Sequence, residues 1–173
     1  MKVIQLIVLS FCSCGVLSAA TFGYITQDIS NKDMFLHKGT KVELIKNENN
    51  ILHVKLNSYI DNEGKLFFDK DKRLKIGILN KKSTNTPTIE LEFTLESAMF
   101  SSNARSTWEE YEELYYAACT QCHSANDPTH HSMLEWEGLY GSMKEQTQLS
   151  EEESGKIMRY LKSHAKDGFV SEK

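Results

Sequence analysis

The stretch Ser106 to His123, STWEEYEELYYAACTQCH, carries two patterns that run into one another. Trp108, Tyr111, Tyr115 and Ala118 recur at helical spacing, so the first part reads as a helix with one apolar stripe. The second part, Cys119-Thr120-Gln121-Cys122-His123, places two thiols and an imidazole at the end of that helix. The C-terminal third is therefore expected to fold around whatever these three groups hold.

A Cys-x-x-Cys pair serves as a redox dithiol, as half of a zinc site or, when His follows at once, as an attachment point for c-type haem. Haem needs this order. Each thiol adds across one vinyl group to leave a thioether, and the adjacent imidazole reaches the iron as its proximal ligand. At typical Cys and His frequencies of about 2 per cent each, a chance match in such a chain is on the order of one in a thousand. Zinc would want a second Cys pair or two well-spaced His, whereas the nearby His130 and His131 are adjacent. A thioredoxin-like dithiol would open a helix rather than follow one. Haem c, one per chain, is the expected cofactor, with Cys119 and Cys122 as thioethers and His123 on the iron.

Three Ser-x-x-Glu capping boxes follow the same logic of helix starts: Ser106/Glu109, Ser132/Glu135 and Ser150/Glu153. The second and third predict helices over about 133–144 and 151–165. Trp136, Leu139, Tyr140 and Met143 form one stripe, and Ile157, Tyr160, Leu161 and His164 form another. Trp136 and Tyr140 are the expected cofactor-pocket residues. For the sixth iron position the candidates are Met143, Met133, Met158, His130, His131 and His164. Met143 is favoured by its place on the Trp136 stripe, and a thioether would favour ferrous iron. Pro128, five residues after His123, suggests a loop whose carbonyl accepts from the His123 Nδ1-H.

Outward from this third, residues 21 to 100 change period. Val42/Leu44, Leu52/Val54/Leu56, Leu74/Ile76/Ile78 and Ile89/Leu91/Phe93/Leu95 alternate with polar neighbours, as strands with one buried face do. Turn residues cluster at Lys38-Gly39, 47–50, 61–64 and 80–87. Five or six short strands predict a small antiparallel barrel or sandwich, in which His37 and His53 sit at the surface. No catalytic grouping appears here, so a docking or positioning role is expected, and the chain is not expected to be an enzyme.

The first twenty residues, MKVIQLIVLSFCSCGVLSAA, combine a basic start, an apolar run and small residues before Thr21. They read as a secretory signal. Export to the periplasm follows, with membrane association if the segment stays uncleaved and no insertion once it is cut. Cys12 and Cys14 would leave with it, so the mature chain would hold only Cys119 and Cys122 and no disulfide framework.

The charge is uneven. Residues 21–100 hold twelve Lys/Arg against eleven Asp/Glu, and residues 101–173 hold seven against thirteen. Acidity argues against nucleic acid as a partner. Glu109, Glu110, Glu112 and Glu113 are expected to form either a negative collar near the cofactor, steering a basic partner, or a plain solvated helix face.

The segment CTQCHSANDPTHHSMLEWEGLYGSMKEQTQLSEEESGKIMRYLKSHAKD resembles the C-terminal monohaem module of TorC-type cytochromes, electron donors to trimethylamine N-oxide reductases. It is also similar to the haem subunits of sulfite-dehydrogenase-type molybdenum enzymes, with Trp136, Met143, Tyr160 and Leu161 in matching places. The resemblance implies an all-α cytochrome c-like haem domain over 101–173, Met143 as distal ligand, and a molybdenum-containing N-oxide or S-oxide reductase as redox partner. TorC-type proteins carry several further haem motifs and this chain carries one, so quinol oxidation falls to a separate upstream donor. The stretch LHKGTKVELIKNENNILHVKLN is similar to bacterial SH3-like modules. The fold class expected is thus α+β in two small domains, 21–100 β-rich and 101–173 helical. The function expected is periplasmic single-electron transfer, the alternative being a haem enzyme or gas sensor with an open distal iron site.

Overall fold

The computed structural model describes residues 21–80 and 86–170. The signal reading of residues 1–20 lies outside them, as does the middle of the turn expected at 80–87.

Nine strands are present among the described residues: β1 (Thr21–Ile25), β2 (Ile29–Ser30), β3 (Met34–Leu36), β4 (Lys41–Glu48), β5 (Ile51–Ile60), β6 (Lys65–Phe67), β7 (Lys75–Leu79), β8 (Thr88–Glu96) and β9 (Phe100–Ser101). All pairings are antiparallel, in the order β2-β3-β7-β6-β5-β4-β1-β9, with β8 on β5. β5 is the organising strand. One edge pairs along its length with β8, from Ile51 opposite Glu96 to Tyr59 opposite Thr88, while β4 and β6 share the other edge. Its alternation sends Leu52, Val54, Leu56 and Ile60 inward, as a period of two requires. Asn49 and Asn50, both at positive φ (50° and 67°), close the β4–β5 hairpin, a conformation Asn tolerates better than most residues.

Three helices follow: α1 (Ala104–Cys119), α2 (Met133–Met143) and α3 (Glu151–His164). The Ser132/Glu135 and Ser150/Glu153 capping boxes form, with side chain and backbone bonding reciprocally. The Ser106/Glu109 box does not. Asn103 caps α1 three residues earlier, its side chain accepting from the Ser106 amide, because β9 delivers the chain to Asn103 in extended geometry. α1 therefore starts beside β1, where Tyr24 pairs with Ser101. It runs about 24 Å at 1.5 Å per residue before ending at Cys119.

The expected fold class needs correction. The strands make one curled, half-barrel sheet rather than a closed small barrel or a two-layer sandwich, and the helices do not form an all-α, cytochrome c-like domain. The reason lies in what the helix stripes face. Trp108 and Tyr111 are buried against the sheet, and one hydrophobic core runs continuously from Ile25, Leu36, Val42 and Val54 to Trp136, Ile157 and Leu161. α3 is tied to the sheet by main-chain carbonyls: Lys162 Nζ donates to the Arg73 carbonyl at 2.6 Å, and an Arg159 guanidinium nitrogen donates to that of Lys75 at 3.3 Å. Phe169, beyond α3, lays its ring near Phe68, Tyr24 and Trp108. A helical period shows that a face is apolar and leaves open whether another helix or a sheet covers it.

His37 also departs from expectation. It is half-buried with its ring edge-on to Phe35 at 4.5 Å, and burial, aided by the positive charges of Arg159 and Lys75, pushes its pKa down to about 3.

Candidate functional site

α1 splits its stripe between two tasks. Its first half packs on the sheet, and its last turn, with Tyr115, Ala118 and Cys119, walls a cavity of about 400 Å3. The loop after it adds Cys122, His123, Ala125 and Asn126; α2 adds Trp136, Tyr140 and Met143; Gln146 to Leu149 and Leu161 of α3 complete the enclosure. That volume lies in the range of small-molecule and cofactor sites.

The helix ends where the motif needs it to. Thr120 Oγ1 donates to the Tyr116 carbonyl at 2.7 Å and Gln121 Nε2 to the Ala117 carbonyl at 3.1 Å, so side chains occupy carbonyls left open at the terminus. Cys119 is held on the last turn, half-buried, while Cys122 and His123 swing out beyond it, exposed. Burial pushes the Cys119 thiol up. A thiol held protonated lacks the low pKa of a dithiol redox nucleophile.

His123 Nδ1 lies 2.8 Å from the Ser124 carbonyl oxygen. A carbonyl only accepts, so the contact assigns a proton to Nδ1; in the neutral imidazole the lone pair is then on Nε2, the form a metal ligand needs. A backbone carbonyl of the loop after His123 is expected in that role; the carbonyl found there is that of Ser124, while the Pro128 carbonyl accepts from the buried Trp136 indole nitrogen at 2.9 Å. The two cavity tyrosines are likewise pinned, Tyr115 donating to the Asn126 carbonyl at 2.7 Å and Tyr140 to Ser154 Oγ at 3.0 Å. Burial raises both phenol pKa values, so both stay neutral donors.

The six side chains singled out for haem, Cys119, Cys122, His123, Trp136, Tyr140 and Met143, all line this one cavity. The other candidates for the sixth position do not. Met133 is buried in the core, Met158 packs against that core, and His130 is exposed in a short 3-10 turn, Pro128–His130. His131 sets its ring edge against Trp136 at 4.9 Å, outside the lining. His164 is enclosed by Trp108 and Tyr160, its Nδ1 2.9 Å from the Tyr160 carbonyl, with its pKa lowered by burial. Among the described residues no group of three or more His, Cys, Asp or Glu is gathered as a metal centre.

Sequence reasoning missed Tyr115 as a cavity residue, because its place on the α1 stripe reads as plain core, and it missed the Gln146–Leu149 segment, which lies between helices with no periodic signal. Of the four glutamates expected as a collar, Glu110 is tied to Lys38 at 2.7 Å and Lys156 at 3.4 Å, and these cations hold its carboxyl below the usual range. Glu112 is half-buried; Glu109 and Glu113 are left facing solvent. No described helix is long and apolar enough to cross a membrane. The chain matches no protein-family model, no curated protein and no solved structure.

Proposed function

We propose that the chain carries one covalently attached haem c in this cavity and works outside the cytoplasm as a single-electron carrier. Convergence supports the reading most: thiols from α1 and its loop, an imidazole whose Nδ1 faces a carbonyl, and the Met143 thioether, distant in sequence, meet at one aromatic-walled cavity.

In this reading Cys119 and Cys122 would hold the group as thioethers, and His123 Nε2 and the Met143 sulfur would bind its iron. When bound, haem supplies a one-electron couple between ferrous and ferric iron. The chain's own residues do the rest. Trp136, Tyr140 and Tyr115 give an aromatic wall whose polar tips are already satisfied within the protein, so they exclude water from one side without competing for the iron. The burial of Cys119 puts one attachment point inside the cavity, and the exposure of Cys122 and His123 leaves the other side near the surface, where an electron can pass to a partner. The partner we propose is a molybdenum-containing N-oxide or S-oxide reductase, with a quinol-oxidising protein upstream; this rests on the resemblance of residues 119–167. By its chemistry the protein would be a c-type cytochrome, built on a sheet and three helices.

The test is expression in cells that attach haem in the periplasm. A mass gain of one haem, lost when Cys119 and Cys122 are both replaced by Ser, is the expected result, with a low-spin spectrum that carbon monoxide leaves unchanged. A chain that emerges without haem would overturn the reading. Ready carbon monoxide binding would replace it by an open-site enzyme or gas sensor.

A further inference from the structure

The loop that carries Cys122 and His123 leaves α1 at Thr120 and is caught again at Asn126, and the catch comes from α1 itself. Tyr115 sits one helical turn before Cys119, so its phenol and that thiol belong to one rigid body. The phenol donates to the Asn126 carbonyl at 2.7 Å. Beyond it the chain stays fixed, with Asp127 Oδ1 accepting from the Thr129 amide at 2.8 Å and hydroxyl at 2.7 Å, and the Pro128 carbonyl taken by Trp136. The other cavity phenol, Tyr140, is bonded to Ser154 on α3 and not to the loop. Tyr115 is 3 % exposed and its ring is set among Tyr116, Trp136 and Tyr160, so the phenol's direction is determined by packing.

We propose that Tyr115 is a positioning residue for His123: by holding the Asn126 carbonyl it closes the loop 120–125 as a loop of fixed span and sets where the imidazole stands against the cavity. The role rests on the haem reading above. The bond itself belongs to the chain alone and can be examined without cofactor. Without the phenol the Asn126 carbonyl loses its donor and the nearest tie on that side moves out to Asp127 and Pro128, which lengthens the free span that carries the exposed His123 ring. An axial ligand whose ring plane is not fixed transmits that freedom to the iron's electronic state.

The experiment compares wild type, Tyr115→Phe and Tyr160→Phe, each with and without haem. Phe keeps the ring and its packing and removes only the hydroxyl. Tyr160 is an equally enclosed phenol that makes no hydrogen bond to the Asn126 carbonyl. In the haem-free proteins, the backbone order parameters at 122–125 should fall in Tyr115→Phe from the rigid range, about 0.85, to below about 0.6, and stay at the wild-type values in Tyr160→Phe. In the haem-loaded ferric proteins, the haem-methyl proton resonances, whose spread reads the plane of the axial imidazole, should shift in Tyr115→Phe alone, with haem retained in all three. Unchanged order parameters in Tyr115→Phe would overturn the clamp whatever the cofactor. Lowered order parameters with unmoved methyl resonances and haem in place would overturn the positioning role only. A wild-type chain that takes up no haem would remove the reading on which the role rests, and the order parameters would judge the clamp by themselves.

Discussion

The indole of Trp108 fills the space that a β-carbon at Gly39 would occupy. Gly39 has φ +82°, a conformation that side chains rarely adopt, and its amide donates to the Ile25 carbonyl at 2.7 Å. One position thus combines a left-handed turn, a strand contact and the seat of the largest side chain of α1. Gly39→Ala must pay the backbone strain, about 1–2 kcal/mol, and must also displace a ring buried to 1 % exposure, typically another 1–3 kcal/mol. A loss of about 3 kcal/mol is expected. Urea unfolding checks it, and a loss below about 1 kcal/mol would mean that α1 is not seated on this turn.

Lys162 joins three elements. Its ammonium donates to the Arg73 carbonyl and to Glu137 on α2, both at 2.6 Å, and the side chain is only 11 % exposed. Lys162→Met keeps the stem and removes both bonds, so about 2 kcal/mol should be lost, as for hydrogen bonds to charged groups. Glu137 is 39 % exposed, so Glu137→Gln, which leaves the Arg73 contact in place, should cost under about 1 kcal/mol. Equal losses in urea midpoints would show that the main-chain bond contributes little.

Acid should destabilise the protein earlier than its carboxylates alone would. Burial lowers the pKa of His37 from 6.5 to about 3 and lowers that of His164 as well. A depressed histidine pKa means that the unfolded chain binds the proton first. The stability linked to these groups is therefore fully present above pH 6.5 and falls as pH drops toward 3, for His37 by up to about 1.4 kcal/mol per pH unit. Between pH 6 and pH 5, above most carboxylate titration, His37→Gln should remove up to one proton's worth of slope. Parallel stability profiles for variant and wild type would mean that His37 takes up its proton in the folded state.

How much of this was legible depended on whether a feature is local. The strands of Leu52/Val54/Leu56 and Ile89/Leu91/Phe93/Leu95 and the second and third helices with their serine caps follow from spacing, because period and capping act within a few residues. What the stripes pack against does not. Trp108 and Tyr115 lie on the same face of α1, yet one meets Gly39 and the other Asn126, and nothing in their spacing distinguishes a sheet from a cavity. The Lys162 and Arg159 bonds to main-chain carbonyls cross more than eighty positions. They tie α3 to the chain around β7, beside a hydrophobic core that strands and helices share.

Met143 offers the sharpest test of the site. It is the last residue of α2, half-buried, and of the six candidates for the sixth iron position only its side chain lines the cavity. In haem-loaded protein, Met143→Ala should leave attachment through Cys119 and Cys122 intact, abolish the ferric sulfur-to-iron charge-transfer band and open the reduced iron to carbon monoxide. Loss of a neutral thioether that favours ferrous iron should also lower the midpoint potential. Replacing His130 and His131 together by Ala should change none of these, since neither ring lines the cavity. If the double histidine variant binds carbon monoxide and Met143→Ala does not, the loop 128–131 must move inward when haem is attached, and Met143 is then a core methionine at the end of its helix.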